Sequence, residues 1–121
     1  MSAFRFSKKN KFGAKRTNGF PSRLESAVFD HLKIREGAGE ITDIKRYPSV
    51  ELQGGIRWKV DFSFVEIASS KLVYAEAKGV ATADYRIKLR LWKSDPPARL
   101  EIWKGKYYRD EIRLFLSEVI E

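Results

Sequence analysis

The sequence predicts a single α/β domain (α+β mixed) in which a central mixed β-sheet is flanked by helices. Its 121 residues suit one compact domain. Several short segments alternate apolar with polar residues as strands do, and segments with helical spacing lie on either side of them. The expected order of elements is α-β-β-β-β-α-β-α, which is typical of a sheet covered by helices. We expect a flexible basic arm at residues 1–21 and the folded domain at residues 22–121.

The first helix is expected to run from Ser22 to about Arg35. Ser22 and Glu25 have the spacing of a capping box, in which the serine hydroxyl accepts from a free backbone N–H and the glutamate reaches back. The glycines of Gly37-Ala38-Gly39 end the helix. Its apolar stripe consists of Leu24, Val28 and Leu32, with Phe29 at the edge.

Four β-prone segments follow. Ile41–Tyr47 and Val50–Leu52 are separated by Pro48, and Gln53-Gly54-Gly55 is expected to form a turn. The third segment alternates regularly and should place one set of side chains on a common face: Ile56, Trp58, Val60, Phe62 and Phe64. The fourth segment, which follows the turn at Ser69-Ser70, should place another set together: Tyr74, Glu76 and Lys78.

The last part of the chain predicts a helix, a strand and a final helix. Thr82 can cap a helix that reaches Lys93, and Pro96-Pro97 stops it. Ala98–Trp103 is expected to be a strand. The final helix should begin at about Tyr108, because apolar residues then recur at i, i+3, i+4 and i+7, at Ile112, Phe115, Leu116 and Val119.

The composition excludes several classes of site. The chain has no cysteine, which excludes disulfides, thiolate metal sites and cysteine catalysis, and its single histidine argues against a zinc cluster or a histidine-centred triad. No apolar run approaches the ~20 residues of a membrane helix. The basic N-terminus lacks the apolar stretch of a secretory signal. We therefore expect a cytoplasmic protein with no membrane partner.

Almost all of the net charge of +8 lies before Glu25. That stretch has no acidic residue, and a basic arm of this kind gains from lying along phosphates because counterions are released. The charge therefore predicts nucleic-acid binding; a tail that only aids solubility is the alternative. The basic residues concerned are Arg5, Lys8, Lys9, Lys11, Lys15, Arg16 and Arg23.

Asp61, Glu76 and Lys78 form the central constellation of candidate catalytic residues. Glu76 and Lys78 are two apart in a strand, so their side chains share a face. If the two strands pair around the Ser69-Ser70 turn, Asp61 reaches the same place. Two carboxylates with room for water suit Mg²⁺, with Mn²⁺ as a substitute. The ion would activate a water and neutralise charge on a phosphate, while Lys78 would position the water or stabilise the transition state.

Glu25 is the fourth candidate, as a further metal ligand. By helical geometry it lies within the apolar stripe of the first helix, where an inward-facing carboxylate costs several kcal/mol unless it is paired or bound to a cation. Either the capping box uses its side chain or it faces the metal, and a first-turn glutamate can do both.

In their order, these four residues resemble the PD-(D/E)XK nuclease superfamily: a glutamate on a helix, an aspartate on a strand, then Glu-x-Lys on the next strand. The phrases around Asp61 and Glu76, RWKVDF and YAEAKG, fit that pattern, although Val60 stands where the pattern has proline. The small spacing is similar to the Holliday-junction resolvases of archaea and phages, including the phage endonuclease I type, and to transposon-end endonucleases. The resemblance spans about Ser22–Trp103 and implies a restriction-endonuclease-like sheet and a homodimer.

Further cations are candidates for contacting nucleic acid, besides Lys8, Lys9, Lys11, Lys15 and Arg16 of the arm. Arg57 and Lys59 share the predicted face of Asp61, with pairing to Glu51 or Glu66 as the alternative. Arg86 and Arg90 lie on the helix that members of the superfamily often place against phosphate, with a solvated face as the alternative. The three tryptophans, Trp58, Trp92 and Trp103, alternate with apolar residues and are predicted to lie in the core.

Three functions remain open. The first is a homodimeric, Mg²⁺-dependent endonuclease that resolves four-way DNA junctions, for which a two-fold dimer supplies two symmetric cuts. The second is a phage or transposon-type endonuclease that acts on DNA ends, flaps or specific sites. The third is a non-catalytic nucleic-acid-binding domain whose carboxylates are structural.

Overall fold

The computed structural model describes residues 19–121, in which a mixed five-stranded sheet packs against two helices. The sheet order is β1-β4-β5-β6-β7; β5 and β6 are parallel, the other neighbours are antiparallel, and β2 and β3 form a separate ribbon. The predicted mixed α/β class is confirmed in this general form. The elements are α1 (Arg23–Gly37), β1 (Ile41–Arg46), β2 (Ser49–Glu51), β3 (Arg57–Lys59), β4 (Phe62–Glu66), β5 (Lys71–Ala77), α2 (Ala83–Ser94), β6 (Arg99–Tyr107) and β7 (Ile112–Ile120).

Helix α1 begins where the capping signal predicts. The Ser22 hydroxyl accepts a hydrogen bond from the Glu25 backbone N–H at 3.1 Å, which satisfies one of the free donors at the helix start. The predicted stripe of Leu24, Val28 and Leu32 is buried. Val28 and Leu32 join a first core cluster that also contains Phe20, which is only 2% exposed. The packed part of the chain therefore includes residues just before Ser22.

The segment predicted as one strand from Ile56 is divided at Val60-Asp61 into β3 and β4. Trp58 and Val60 belong to a second core cluster with α2, whereas Phe62 and Phe64 belong to the first cluster with α1. The predicted common face is therefore wrong. The chain passes from the β2–β3 ribbon into the five-stranded sheet at this point, so apolar residues with unbroken alternation are buried on opposite sides.

Strands β4 and β5 form the predicted antiparallel hairpin. Their register pairs Phe62 with Ala75 and Glu66 with Lys71. The turn between them contains Ser70 in the left-handed region, with φ of 58°. Continuing this register places Asp61 beside Glu76, which is the arrangement that the spacing predicts.

Helix α2 connects the parallel strands β5 and β6 and covers one face of the sheet. The Thr82 hydroxyl accepts from the Tyr85 backbone N–H at 3.2 Å, as the predicted cap requires. Trp92 is fully buried and donates its indole N–H to the Ala98 carbonyl oxygen at 3.0 Å. All three tryptophans are buried, which confirms their interpretation as core residues. Neither helix in residues 19–121 has the length and apolar character needed to cross a membrane.

The predicted final helix is wrong, because the last element is the edge strand β7. It pairs along its length with β6, which extends to Tyr107 and not only to Trp103 as expected. A register shift leaves Ser117 as an extra residue between Leu116 and Glu118. The bulge explains the three-residue step from Leu116 to Val119, which lie on the same face. Phe115 lies on the opposite face, beside Lys104, so the helix-like spacing combines residues from both faces of the strand. The residues of the supposed buried stripe other than Ile112 are 41–44% exposed: Phe115, Leu116 and Val119.

Candidate active site

Asp61 and Glu76 lie side by side where β4 begins and β5 ends. The Asp61 backbone N–H donates to Glu76 Oε1 at 3.1 Å, and the Ala77 backbone N–H donates to Asp61 Oδ2 at 2.8 Å. Each strand therefore holds the carboxylate of the other. The two side chains meet at one end of the sheet, as the hairpin predicts.

Glu25 approaches this pair from the first turn of α1. Glu25 is 6% exposed, and the Tyr47 hydroxyl donates a hydrogen bond to Glu25 Oε2. The negative charge of Glu25 is one of the causes that raise the pKa of Asp61, so the two groups lie within electrostatic range. The helix thus brings a third carboxylate to the same end of the sheet.

Tyr47 connects these elements and was not among the residues predicted for the site. Its backbone N–H donates to the Asp61 carbonyl oxygen at 2.8 Å while its hydroxyl holds Glu25. Burial and the hydrogen bond to Glu25 raise the pKa of Tyr47, so the hydroxyl keeps its proton and remains a donor. Tyr47 has a φ of 58°, a strained conformation for a non-glycine residue. The sequence has no signal for this role, since it depends on contacts with two distant segments.

Lys78 lies beside Glu76 and the Tyr85 ring. Its Nζ lies 3.6 Å from Glu76 Oε2 and 4.6 Å from the centre of the Tyr85 ring, and its side chain is 23% exposed. The Lys78 backbone N–H donates to the Trp103 carbonyl oxygen at 3.0 Å, which extends the β5–β6 ladder by one residue. The ammonium group is therefore oriented by Glu76 and Tyr85, and remains partly open to solvent.

Burial changes the acidity of both central carboxyl groups. Desolvation is the main cause that raises the pKa of Asp61 to about 6. Desolvation and the charge of Asp61 raise the pKa of Glu76 to about 8. Two buried like charges are unfavourable together, and a cation between them removes that cost. The site therefore favours binding of a positive ion when both groups are ionised.

Asp61 and Glu76 can hold a divalent cation if waters and substrate oxygens supply its remaining ligands. Within residues 19–121 no three Asp, Glu, His or Cys side chains form a group that could hold a metal ion by themselves. Mg²⁺ commonly takes one or two carboxylates and completes its octahedron with waters and substrate phosphate oxygens. One oxygen of Asp61 and one of Glu76 accept backbone hydrogen bonds, which orients each second oxygen. Asp61 and Glu76 thus fit Mg²⁺ as a pair, with Glu25 held nearby by Tyr47.

The other predicted contact residues that the structure describes lie in two places. Arg57 and Lys59 are on the exposed β2–β3 ribbon, and Arg57 pairs with Glu51 at 3.4 Å, which is the alternative considered for it. Arg86 and Arg90 are exposed on α2. The arm residues Lys8, Lys9, Lys11, Lys15 and Arg16 lie outside the described residues.

Comparison of the chain with known proteins gave no matching family model, no matching curated protein and no matching solved structure.

Proposed function

We propose that the protein is a Mg²⁺-dependent endonuclease that hydrolyses phosphodiester bonds in DNA, with four-way junctions as its substrate. One observation carries the proposal: Asp61 and Glu76 accept hydrogen bonds from the backbone of each other's strand, which brings half-buried Asp61 and buried Glu76 together, with the Lys78 ammonium 3.6 Å from Glu76. A carboxylate pair beside a lysine suits metal-assisted phosphate chemistry better than a purely structural role. In a structural role, the free-energy cost of removing the charged groups from water would be hard to recover.

The side chains divide the proposed chemistry among them. Asp61 and Glu76 would hold the ion, which supplies a Lewis acid that neutralises charge on the phosphate. Lys78 would donate hydrogen bonds to the attacking water or to a phosphate oxygen, because its ammonium is oriented by Glu76 and still reaches solvent. Glu25 would add negative charge from α1, and Tyr47 would keep its carboxylate in place.

The choice of a branched substrate rests on the resemblance of the site residues to junction resolvases. The positive charge of the chain supports a polyanionic substrate of any shape. A homodimer would supply the two symmetric cuts that a four-way junction needs. Endonucleases that act on ends, flaps or specific sites use the same site chemistry, so the substrate has to be tested separately from the reaction.

The test compares cleavage of a synthetic four-way junction with cleavage of a linear duplex of the same sequence, in Mg²⁺ and in EDTA. We expect the junction to be cleaved in Mg²⁺ and not in EDTA. The variants Asp61→Asn and Glu76→Gln should lose cleavage but still bind the junction. Lys78→Ala should also slow cleavage. Lys71→Ala is its matched control, because Lys71 is an exposed lysine at the other end of β5. Equal cutting of both DNAs would favour the second kind of endonuclease. Unchanged cutting by Asp61→Asn would overturn the proposed site.

A further inference from the structure

Three cations outside the predicted site form a basic strip at the same end of the sheet: Lys104, Lys106 and Arg113. Strand β5 ends at Ala77, which pairs with Trp103, whereas β6 continues to Tyr107 and β7 returns beside it. The β6–β7 hairpin therefore projects past the end of β5, where Glu76 and Lys78 lie. Lys106 is directly opposite Arg113, and Lys104 is opposite Phe115.

The basic strip shares a face of the sheet with Glu76 and Lys78. Tyr74 and Ile102 pack against the α2 side of the sheet, in the cluster that contains Trp92. Because side chains alternate along a strand, Glu76 and Lys78 on β5 and the cations of the strip on β6 and β7 lie on that same side. A path of positive charge thus leads from Lys78 across two neighbouring strands.

Helix α2 leaves the strip uncovered. Its first turn is near Lys78, which contacts the Tyr85 ring, and its last turn is near Glu118, which pairs with Lys93 at 2.7 Å. The helix therefore runs away from the projecting hairpin. Lys106 and Arg113 are exposed and Lys104 is half-buried.

The charges of the strip are poorly balanced. Within residues 19–121 no ion pair reaches Lys104 or Lys106. Arg113 pairs with Glu111 at 3.2 Å, but both side chains are more than half exposed, so that pair is weak. A cation without an ion pair has no salt bridge to break when a polyanion binds, so its charge is available to neutralise phosphates, which favours this surface for contact with DNA.

The hairpin is anchored to the helix that carries Glu25. A Cβ placed on Gly105 would lie 2.6 Å from Ile112 Cγ2 and 3.0 Å from Leu24 Cδ1, so the backbone of β6 approaches both closely. On the same side, the Arg23 guanidinium lies 5.9 Å from the centre of the Tyr107 ring. The position of the basic strip relative to the site is thus set by packing.

We propose that the basic strip of Lys104, Lys106 and Arg113 binds the DNA backbone next to the phosphate that enters the site. This inference rests on the proposed function, because it takes DNA as the ligand. Exposed Phe115 and the cations beside it form a surface on which a sugar–phosphate chain gains both charge neutralisation and apolar contact. The strip is separate from the predicted contacts Arg86 and Arg90, which lie on α2.

The experiment measures binding of a labelled four-way junction and of a linear duplex by the full chain in EDTA, at several salt concentrations. For the pair Lys104→Ala and Lys106→Ala we expect affinity to fall on the order of ten-fold and the slope of log affinity against log salt to fall by about 2. Lys71→Ala, at the opposite end of the sheet, should leave both unchanged. Lys106→Glu is a second variant at an exposed position and should weaken binding as well. Thermal unfolding checks that each variant is folded.

Failure of this inference and failure of the proposed function give different results. If the wild-type chain binds DNA through the strip but cuts nothing in Mg²⁺, the basic strip stands and the endonuclease proposal falls. If it cuts DNA while the strip variants keep the wild-type affinity and salt slope, the strip is overturned. Failure of the wild-type chain to bind DNA, or equal weakening by Lys71→Ala, would also overturn it.

Discussion

Tyr47 binds Glu25 through its hydroxyl and binds the neighbouring Asp61 through its backbone N–H, at 2.8 Å from the Asp61 carbonyl oxygen. A single residue at the end of β1 therefore joins the α1 carboxylate to the strand that carries the aspartate. Its strained φ of 58° indicates that the surrounding contacts outweigh the local preference of the backbone.

Tyr47→Phe tests whether the Tyr47 hydroxyl positions Glu25 for metal binding or only stabilises the fold. The variant keeps the ring and the backbone but removes the donor to a buried carboxylate, which typically costs about 1.5–3 kcal/mol. We expect the free energy of unfolding to fall by that amount and cleavage to slow, with the Mg²⁺ dependence shifted to higher concentration. Urea unfolding and Mg²⁺ titration of cleavage measure both effects. A variant with unchanged Mg²⁺ dependence would show that Tyr47 has only a structural role.

The stability of the metal-free protein should fall as the pH rises. The pKa of Asp61 is raised to about 6 and that of Glu76 to about 8, so between pH 4 and 8 the folded protein holds more protons than the unfolded chain. The contribution of these groups is therefore complete below pH 4 and is lost as the pH passes through 6 and 8. We expect Glu76→Gln to flatten this dependence in urea unfolding at pH 5–9 in EDTA. An equally steep fall in the variant would contradict this origin.

Mg²⁺ should stabilise the protein more strongly at higher pH. Binding of the ion requires ionised Asp61 and Glu76, so it competes with their protons. We expect the thermal midpoint to rise on addition of Mg²⁺, with a larger rise at pH 8.5 than at pH 6. Asp61→Asn should abolish the rise, whereas Asp30→Asn on the exposed side of α1 should preserve it. Differential scanning fluorimetry measures all four conditions.

Lys78→Ala should slow cleavage without preventing metal binding. The ammonium lies beside Glu76 but is not a metal ligand, so the Mg²⁺-dependent rise in thermal midpoint should remain. Loss of one electrostatic group at a reacting phosphate costs on the order of 10²-fold in rate. Single-turnover cleavage gives the rate. Loss of the Mg²⁺ effect in Lys78→Ala would place the lysine in a structural role at the carboxylates.

Gly105→Ala should destabilise the β6–β7 hairpin. The added methyl group would lie 2.6 Å from Ile112 Cγ2, and such overpacking typically costs about 1–3 kcal/mol. Gly79→Ala is the matched control, since a Cβ there meets no atom within 4 Å. Urea unfolding compares the two variants. A change at Gly105 no larger than that at Gly79 would mean that Ile112 and Leu24 accommodate the added methyl group without cost, which would contradict the tight packing around Gly105.

Local signals in the sequence were enough for several elements. Ser22 and Thr82 predicted both helix starts, because a cap uses atoms only three residues apart. The hairpin of β4 and β5 followed from a short turn between alternating segments. The split between β3 and β4 could not be read in this way, because alternation is the same whether Trp58 and Phe62 face one core or two.

The amino-acid sequence by itself determined that Asp61 and Glu76 would meet, since a strand has a period of two and a tight hairpin leaves little freedom in register. Only the tertiary structure decided that Tyr47 holds Glu25 and that the last segment is an edge strand beside β6. Both depend on partners elsewhere in the chain. The helix-like spacing of the last segment combines a bulge at Ser117 with Phe115 on the opposite face from Ile112, Leu116 and Val119. The periodicity of a segment indicates which of its residues share a face. The element that covers this face is determined by long-range packing.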